Sequence, residues 1–291
     1  MENNFYQNIQ KLGKLTSLYV DNQQTLFAKE DLKAFLISEK ASETSSYYTL
    51  LGEAGAGKTM FVKQFCKANS SINSLYVKLP SACTRKAVAQ SILFELEDPN
   101  YLRTGATSHN MMARTKHWLQ KKNIGLIFLD EAQQLIESKN EKVIYDTSEW
   151  LKDAVSDWGI PVVFVGLPKF IDVITSNDQF SRRRWGHTEF PEAIWENMTD
   201  RKEWCSFLHE VEGGLPFPTE SNLSSPTIAH AILQATGGMR GIAIQLIIRA
   251  AKFSLSDGEF SLSVRKFSRA YQDLSLGVQN PFSGLREKAV A

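Results

Sequence analysis

The sequence predicts a doubly wound α/β domain followed by a small helical one, and three observations carry that expectation. A β-rich run, Tyr47-Tyr-Thr-Leu-Leu51, leads straight into the glycine-rich stretch Gly52-Glu-Ala-Gly-Ala-Gly-Lys58-Thr59. A continuous apolar run, Ile124-Gly-Leu-Ile-Phe-Leu129, ends in Asp130-Glu131, the mark of a strand buried on both faces. Strand and helix patterns alternate from Tyr47 to Pro168, which calls for parallel strands joined by crossover helices.

Taken in order, residues 1–45 read as an N-terminal arm with two short helical patterns, Tyr6 to Tyr19 and Glu30 to Leu36. The Ser-rich linker Ser42 to Ser46 delivers the first strand. A helix through Met60 to Cys66 follows, then a strand Ser74 to Leu79 and helices from Arg85 to Leu96 and Ser108 to Lys121. After the acidic-ended strand come a helix through Ser148 to Asp157 and a buried strand, Ile160-Pro-Val-Val-Phe-Val165, ending in Gly166-Leu-Pro168. These elements place a nucleotide-binding α/β domain at 46–196. From Asn197 onward only helical spacing remains. Ser225 with Pro226 opens a helix that Gly237-Gly238 closes, and Met239 to Ser254 and Ser263 to Leu274 flank the turn Asp257-Gly258,. This predicts a helical lid over 197–275, with 276–291 as a flexible tail.

With 43% hydrophobic residues and 22% charged, the 291-residue chain has enough apolar material for one large domain and a smaller one,. Its 33 Lys and Arg balance 32 Asp and Glu, so only local clustering can bear on nucleic acid. Cys66, Cys83 and Cys205 are odd in number and lack CxxC spacing, which argues against a disulfide framework or a zinc site and for a reduced, cytoplasmic setting. No apolar run approaches the length of about 20 that a membrane span needs, and the polar start is no signal peptide.

The chemistry lies in the two motifs. Glycine at Gly52, Gly55 and Gly57 permits positive φ and leaves no Cβ in the way, so backbone N–H groups of the loop Gly52, Glu53, Ala54, Gly55, Ala56, Gly57 can turn onto phosphate oxygens,. Lys58 then reaches the β- and γ-phosphates, Thr59 holds magnesium, and Met60 continues the helix start,. In open α/β sheets ligands lie beyond the carboxyl ends of the strands, where Asp130 and Glu131 fall. Asp130 is the second candidate magnesium ligand, through water, and Glu131 the group that orients or deprotonates an attacking water. The expected cofactors are ATP and Mg²⁺.

Arginines offer further candidates. In Ser181-Arg182-Arg183-Arg184-Trp185, Arg182 or Arg183 is placed to act as a finger on a neighbouring subunit's γ-phosphate,; a solvated basic turn or a phosphate-backbone contact is the alternative. Arg240, opening a lid helix, is a candidate γ-phosphate sensor or plain surface. No acid occurs from Asn100 through Leu129, so Arg103, Thr104, Arg114, Lys116 and Lys121 are candidates for DNA phosphates. Otherwise that helix's terminal lysines complement its macrodipole. No recognisable reading helix is present, so contact with DNA would be to the backbone.

These motifs, together with Leu126-Ile-Phe-Leu-Asp-Glu-Ala-Gln133, Pro161 to Pro168, the Ser-Arg-Arg turn, and Ser221 to Ser225 leading to Ala235-Thr-Gly-Gly238, resemble the TniB/TnsC group of AAA+ transposition regulators. The resemblance covers Tyr47 to Leu274. It implies an AAA+ P-loop NTPase whose ATP-bound assemblies come apart on hydrolysis; an arginine finger would make that hydrolysis depend on assembly, and a glycine at 166 would make it slow. It also implies homo-oligomeric rings or helical filaments on double-stranded DNA, with recruitment of a transposase and a TniQ-like target-selection protein. Where most AAA+ proteins end the strand after the acidic one in a polar sensor, this chain has Gly166, which carries no side chain to orient water.

Overall fold

The computed structural model describes residues 2–42, 45–81, 84–102, 108–136 and 141–285. Contacts divide the chain into two units, one of residues 23–53 and 58–190, the other of residues 1–22, 54–57 and 191–291. The first unit holds five strands: β1 (Tyr47–Gly52), β2 (Ser74–Lys78), β3 (Leu126–Asp130), β4 (Val162–Gly166) and β5 (Arg184–Phe190). They form one parallel sheet in the order β2-β3-β4-β1-β5. Every residue of β1, β3 and β4 is buried, as their apolar runs require.

The pleat sends alternate residues to opposite faces. Tyr47, Ile127, Leu129, Val162 and Phe164 join a core with residues of α4 (Arg85–Glu95), α5 (Ser108–Lys121), α6 (Glu141–Trp158), α7 (Ile171–Thr175) and α8 (Asp178–Arg182). On the other face, Tyr48 meets Phe35 of α2 (Gln23–Ala41) and Phe128 meets Phe65 of α3 (Lys58–Ala68). Helices on both faces of a parallel sheet are the doubly wound arrangement.

Strand β5 corrects the reading of Ser181–Trp185 as a turn. Arg182 closes α8, Arg183 caps it, and Arg184 already pairs with Tyr47 of β1. The strand pairs only with β1 at the sheet edge and is half-buried over most of its length, so it has no apolar run for the sequence to show. The register slips at Tyr47/Tyr48, placing Arg184 opposite Tyr47 and Gly186 opposite Tyr48.

The second unit is helical: α1 (Glu2–Leu15), α9 (Met198–Gly213), α10 (Pro226–Thr236), α11 (Arg240–Ser256) and α12 (Val264–Asp273). Leu12 and Leu15 of α1 join a core with Trp204, Phe207, Ile228, Ile232, Leu246, Ile247 and Phe267. Trp204 Nε1 donates to the Ala229 carbonyl at 3.0 Å, satisfying the one polar atom that this ring buries,. The predicted arm is therefore divided, with α1 in the helical unit and the long α2 in the sheet unit. The described part of the predicted tail is packed. Phe282 is 1% exposed and stacks on Phe267, and the Tyr271 hydroxyl donates to the Gln279 carbonyl. No single helix among the described residues is long and apolar enough to cross a membrane.

Candidate functional site

Strand register sets the acidic half of the site. Asp130 stands opposite Val165 on one side and Lys78 on the other, while Leu51 stands opposite Gly166, so the carboxyl ends of four strands align. Between β1 and α3 the chain turns through Gly55 (φ +85°) and Gly57 (φ +95°), a left-handed backbone that glycine adopts without strain. Gly52 is needed for another reason. Its φ is not positive, and a Cβ there would stand 2.7 Å from the Phe190 carbonyl oxygen of β5.

Lys58, the first residue of α3, donates to the carbonyls of Gly52 at 2.6 Å and Glu53 at 2.9 Å. Burial pushes its ammonium pKa down, against the pull of Asp130, Glu131 and Glu53. The loop carbonyls thus hold this cation at a helix N-terminus, whose free N–H groups favour an anion. Thr59 Oγ1 donates to Asp130 Oδ2 at 2.7 Å. So does the Tyr76 hydroxyl, also at 2.7 Å; burial and the neighbouring carboxylate push that phenol up, keeping it a donor. Asp130 Oδ1 accepts from the Glu131 N–H at 2.8 Å, and the residue is 3% exposed. One carboxylate plus one hydroxyl suits magnesium, which takes few protein ligands and completes its shell with phosphate oxygens and water.

Glu131 adopts φ +62°, the left-handed region that a residue with a side chain rarely enters,. Such strain marks functional positions. The turn leads into a 3₁₀ segment, Ala132–Ile136, and brings Gln133 Nε2 to Glu131 Oε2 at 2.5 Å. Gln133 Oε1 accepts from the Leu167 N–H at 3.0 Å. Tyr76 and Gln133 were not singled out as site residues from sequence; the only prior trace of Gln133 is its place at the end of the Asp-Glu-Ala-Gln run.

Residues 40–174 match the model of an AAA domain. Most of the chain superposes on Cdc6 and ORC proteins of known structure. Cdc6p from Pyrobaculum aerophilum matches with TM-score 0.69 and 17% identity over 94% of this chain and 74% of that one. The ORC2 protein of Aeropyrum pernix, in ADPNP-ADP complexes, gives 0.67 and 17% over 91% and 72%. The ORC1 protein of the same organism, solved with DNA, gives 0.67 and 16% over 90% and 69%. The fold is AAA+. No curated protein matches the sequence.

Within the AAA+ fold the other predicted residues separate. Arg182 is exposed and makes no hydrogen bond or ion pair among the described residues. Arg183 is anchored, its Nη1 donating to the Lys152 carbonyl at 3.2 Å and its own carbonyl accepting from the Tyr47 N–H. Arg240 Nη1 donates to the Val20 carbonyl at 2.8 Å, and its guanidinium lies 5.1 Å from the Phe207 ring centre. Burial lowers its pKa. It is not the plain surface residue that one reading allowed.

The acid-free stretch is partly neutralised from just upstream. Arg114 Nη2 meets Asp98 Oδ1 at 2.5 Å, with the Asp98 side chain fully buried, and Lys122 meets Glu97 at 2.6 Å. Counting charge along 100–129 overlooks acids that end the preceding segment. Arg114 is thus an ion-pair partner, with part of its guanidinium already engaged. Lys116 and Lys121 are exposed on α5, Lys121 Nζ lying 4.5 Å from the Trp118 ring centre. Arg103 and Thr104 lie outside the described residues.

Proposed function

We propose that this chain is a cytoplasmic, ATP-hydrolysing AAA+ switch on duplex DNA, and that it serves as a transposition regulator of the TniB/TnsC kind. With ATP it assembles as a ring or filament of its own copies on DNA and recruits a transposase and a TniQ-like protein; hydrolysis releases it. The observation that carries the ATPase reading is the Thr59–Asp130 and Glu131–Asp130 hydrogen bonds beside Lys58, which the loop carbonyls hold.

In this reading the N–H groups around Gly55 and Gly57 seat the phosphates, and Lys58 exchanges its loop carbonyls for β- and γ-phosphate oxygens. Thr59 and Asp130 would hold magnesium, which would supply positive charge against that developing on the phosphates. Glu131 takes a proton from water as the water oxygen bonds to the γ-phosphorus. The bond from phosphorus to the β–γ bridging oxygen breaks, and its electron pair leaves with ADP. Arg182 supplies the cation offered to a neighbouring protomer.

Phosphate release measured with and without duplex DNA tests this reading. DNA-stimulated turnover supports it, and binding without turnover removes the ATPase. A second reading, an initiator, is favoured by the likeness to Cdc6p and the ORC proteins, one of them solved with DNA. Competition between unrelated duplexes of equal length separates the two. Equal affinities support backbone tracking, whereas a hundredfold preference for one sequence, about 2.7 kcal/mol, supports the initiator.

The two kinds of basic residue on α5 respond differently to removal. Arg114→Ala leaves the buried Asp98 carboxylate short of a donor and lowers unfolding free energy by about 2 kcal/mol in a denaturant titration. Lys116→Ala and Lys121→Ala leave stability within about 0.5 kcal/mol. Each weakens DNA binding equally across sequences and reduces the salt slope by about one. An unchanged slope removes that lysine from the DNA surface.

A further inference from the structure

We propose that Gln133 is the positioning residue for Glu131, doing through the 3₁₀ turn what a polar side chain at the end of β4 would otherwise do. This rests on the ATPase reading above. Gln133 is 5% exposed, and both ends of its amide are committed: Nε2 to Glu131 Oε2 at 2.5 Å, Oε1 to the Leu167 N–H at 3.0 Å. The orientation of the amide is dictated by its partners. A backbone N–H only donates and an ionised carboxylate only accepts, so a flipped amide would face donor with donor and acceptor with acceptor.

Gly166 is the counterpart of this arrangement. A Cβ built there would lie 2.6 Å from Gln133 Oε1, 3.2 Å from the Ala132 nitrogen and 3.3 Å from the Gln133 nitrogen. The space that a sensor side chain would take is filled by the Gln133 amide, entering from β3's side of the site. The missing side chain at Gly166 and the presence of Gln133 are one feature. The amide clamps Oε2 and leaves Oε1, whose one ion-pair partner among the described residues is the exposed Lys78 at 3.9 Å, to meet water. It also couples the Glu131 carboxylate to the backbone at the end of β4, fixing its direction despite the strained φ.

Single-turnover hydrolysis of magnesium-ATP by the full chain on duplex DNA, alongside titration with a fluorescent ATP analogue, tests this. Gln133→Leu keeps the volume and removes both bonds. It lowers the rate by about 10- to 100-fold, while the dissociation constant stays within about threefold of wild type. Gly166→Ala displaces the amide and has the same signature. Gln133→Ala combined with Gly166→Asn returns a polar group from the β4 end and recovers about tenfold over Gln133→Ala alone. Gln133→Leu at the wild-type rate overturns the inference, as does a loss of affinity as large as the loss of rate, or a double variant no faster than Gln133→Ala. Wild type that binds ATP and releases no phosphate removes the ATPase reading itself; wild-type turnover shared by Gln133→Leu removes this inference alone.

Discussion

Glu131→Gln leaves ATP binding within a few-fold of wild type and lowers hydrolysis by about 10²- to 10⁴-fold, the range that a positioned general base contributes. The substitution is nearly isosteric, and the Glu131 N–H to Asp130 bond is a backbone donation that survives it. What is lost is an ionised oxygen able to take the proton of water. The Gln133 amide, which donates to Oε2, retains an acceptor in the new amide oxygen, so the loop is spared. Because hydrolysis is the proposed release step, the variant stays on DNA far longer than wild type. The check is dissociation from labelled duplex after dilution in the presence of ATP; kinetics equal to wild type sink the switch.

Lys58→Ala removes ATP-dependent assembly altogether. Two charge-assisted hydrogen bonds to phosphate at about 1.5–3 kcal/mol each amount to an affinity loss of at least about 100-fold. A second effect follows from the observed bonds, since the Gly52 and Glu53 carbonyls share the Lys58 ammonium and lose their common donor. Equilibrium titration with the fluorescent analogue measures the first effect, and electron microscopy of protein on duplex DNA with a slowly hydrolysed ATP analogue reads out the assembly. Wild-type extents of DNA-bound assembly in this variant overturn the nucleotide-switch reading.

Much of the sheet was legible because its central strands are buried on both faces. Tyr47–Gly52, Leu126–Asp130 and Val162–Gly166 are wholly buried, and such strands read as near-continuous apolar runs. The phosphate loop was legible because positive φ at Gly55 and Gly57 and the cation at Lys58 demand particular residue types at fixed spacing,. Edge strand β5 was not. Arg184-Trp-Gly-His-Thr-Glu-Phe190 takes its backbone bonds from one neighbour and shows solvent a partly polar face, so its identity as a strand rests on Tyr47–Gly52 lying beside it. At Gly52 the missing Cβ is what matters, because of the nearby Phe190 carbonyl, and positive φ plays no part.

From the order of its residues alone, this chain declares an α/β sheet, a phosphate loop and the Asp130-Glu131 pair, because local backbone demands and two-sided burial leave periodic traces. Only the tertiary structure decided which arginines are already engaged, Arg114 in an ion pair with Asp98 and Arg183 in a hydrogen bond to the Lys152 carbonyl. It also decided that Gln133 fills the space beside Gly166. Those outcomes depend on distances between segments brought together by folding, and a 3.0 Å hydrogen bond between Leu167 and Gln133, 34 positions apart, has no period for a sequence to display.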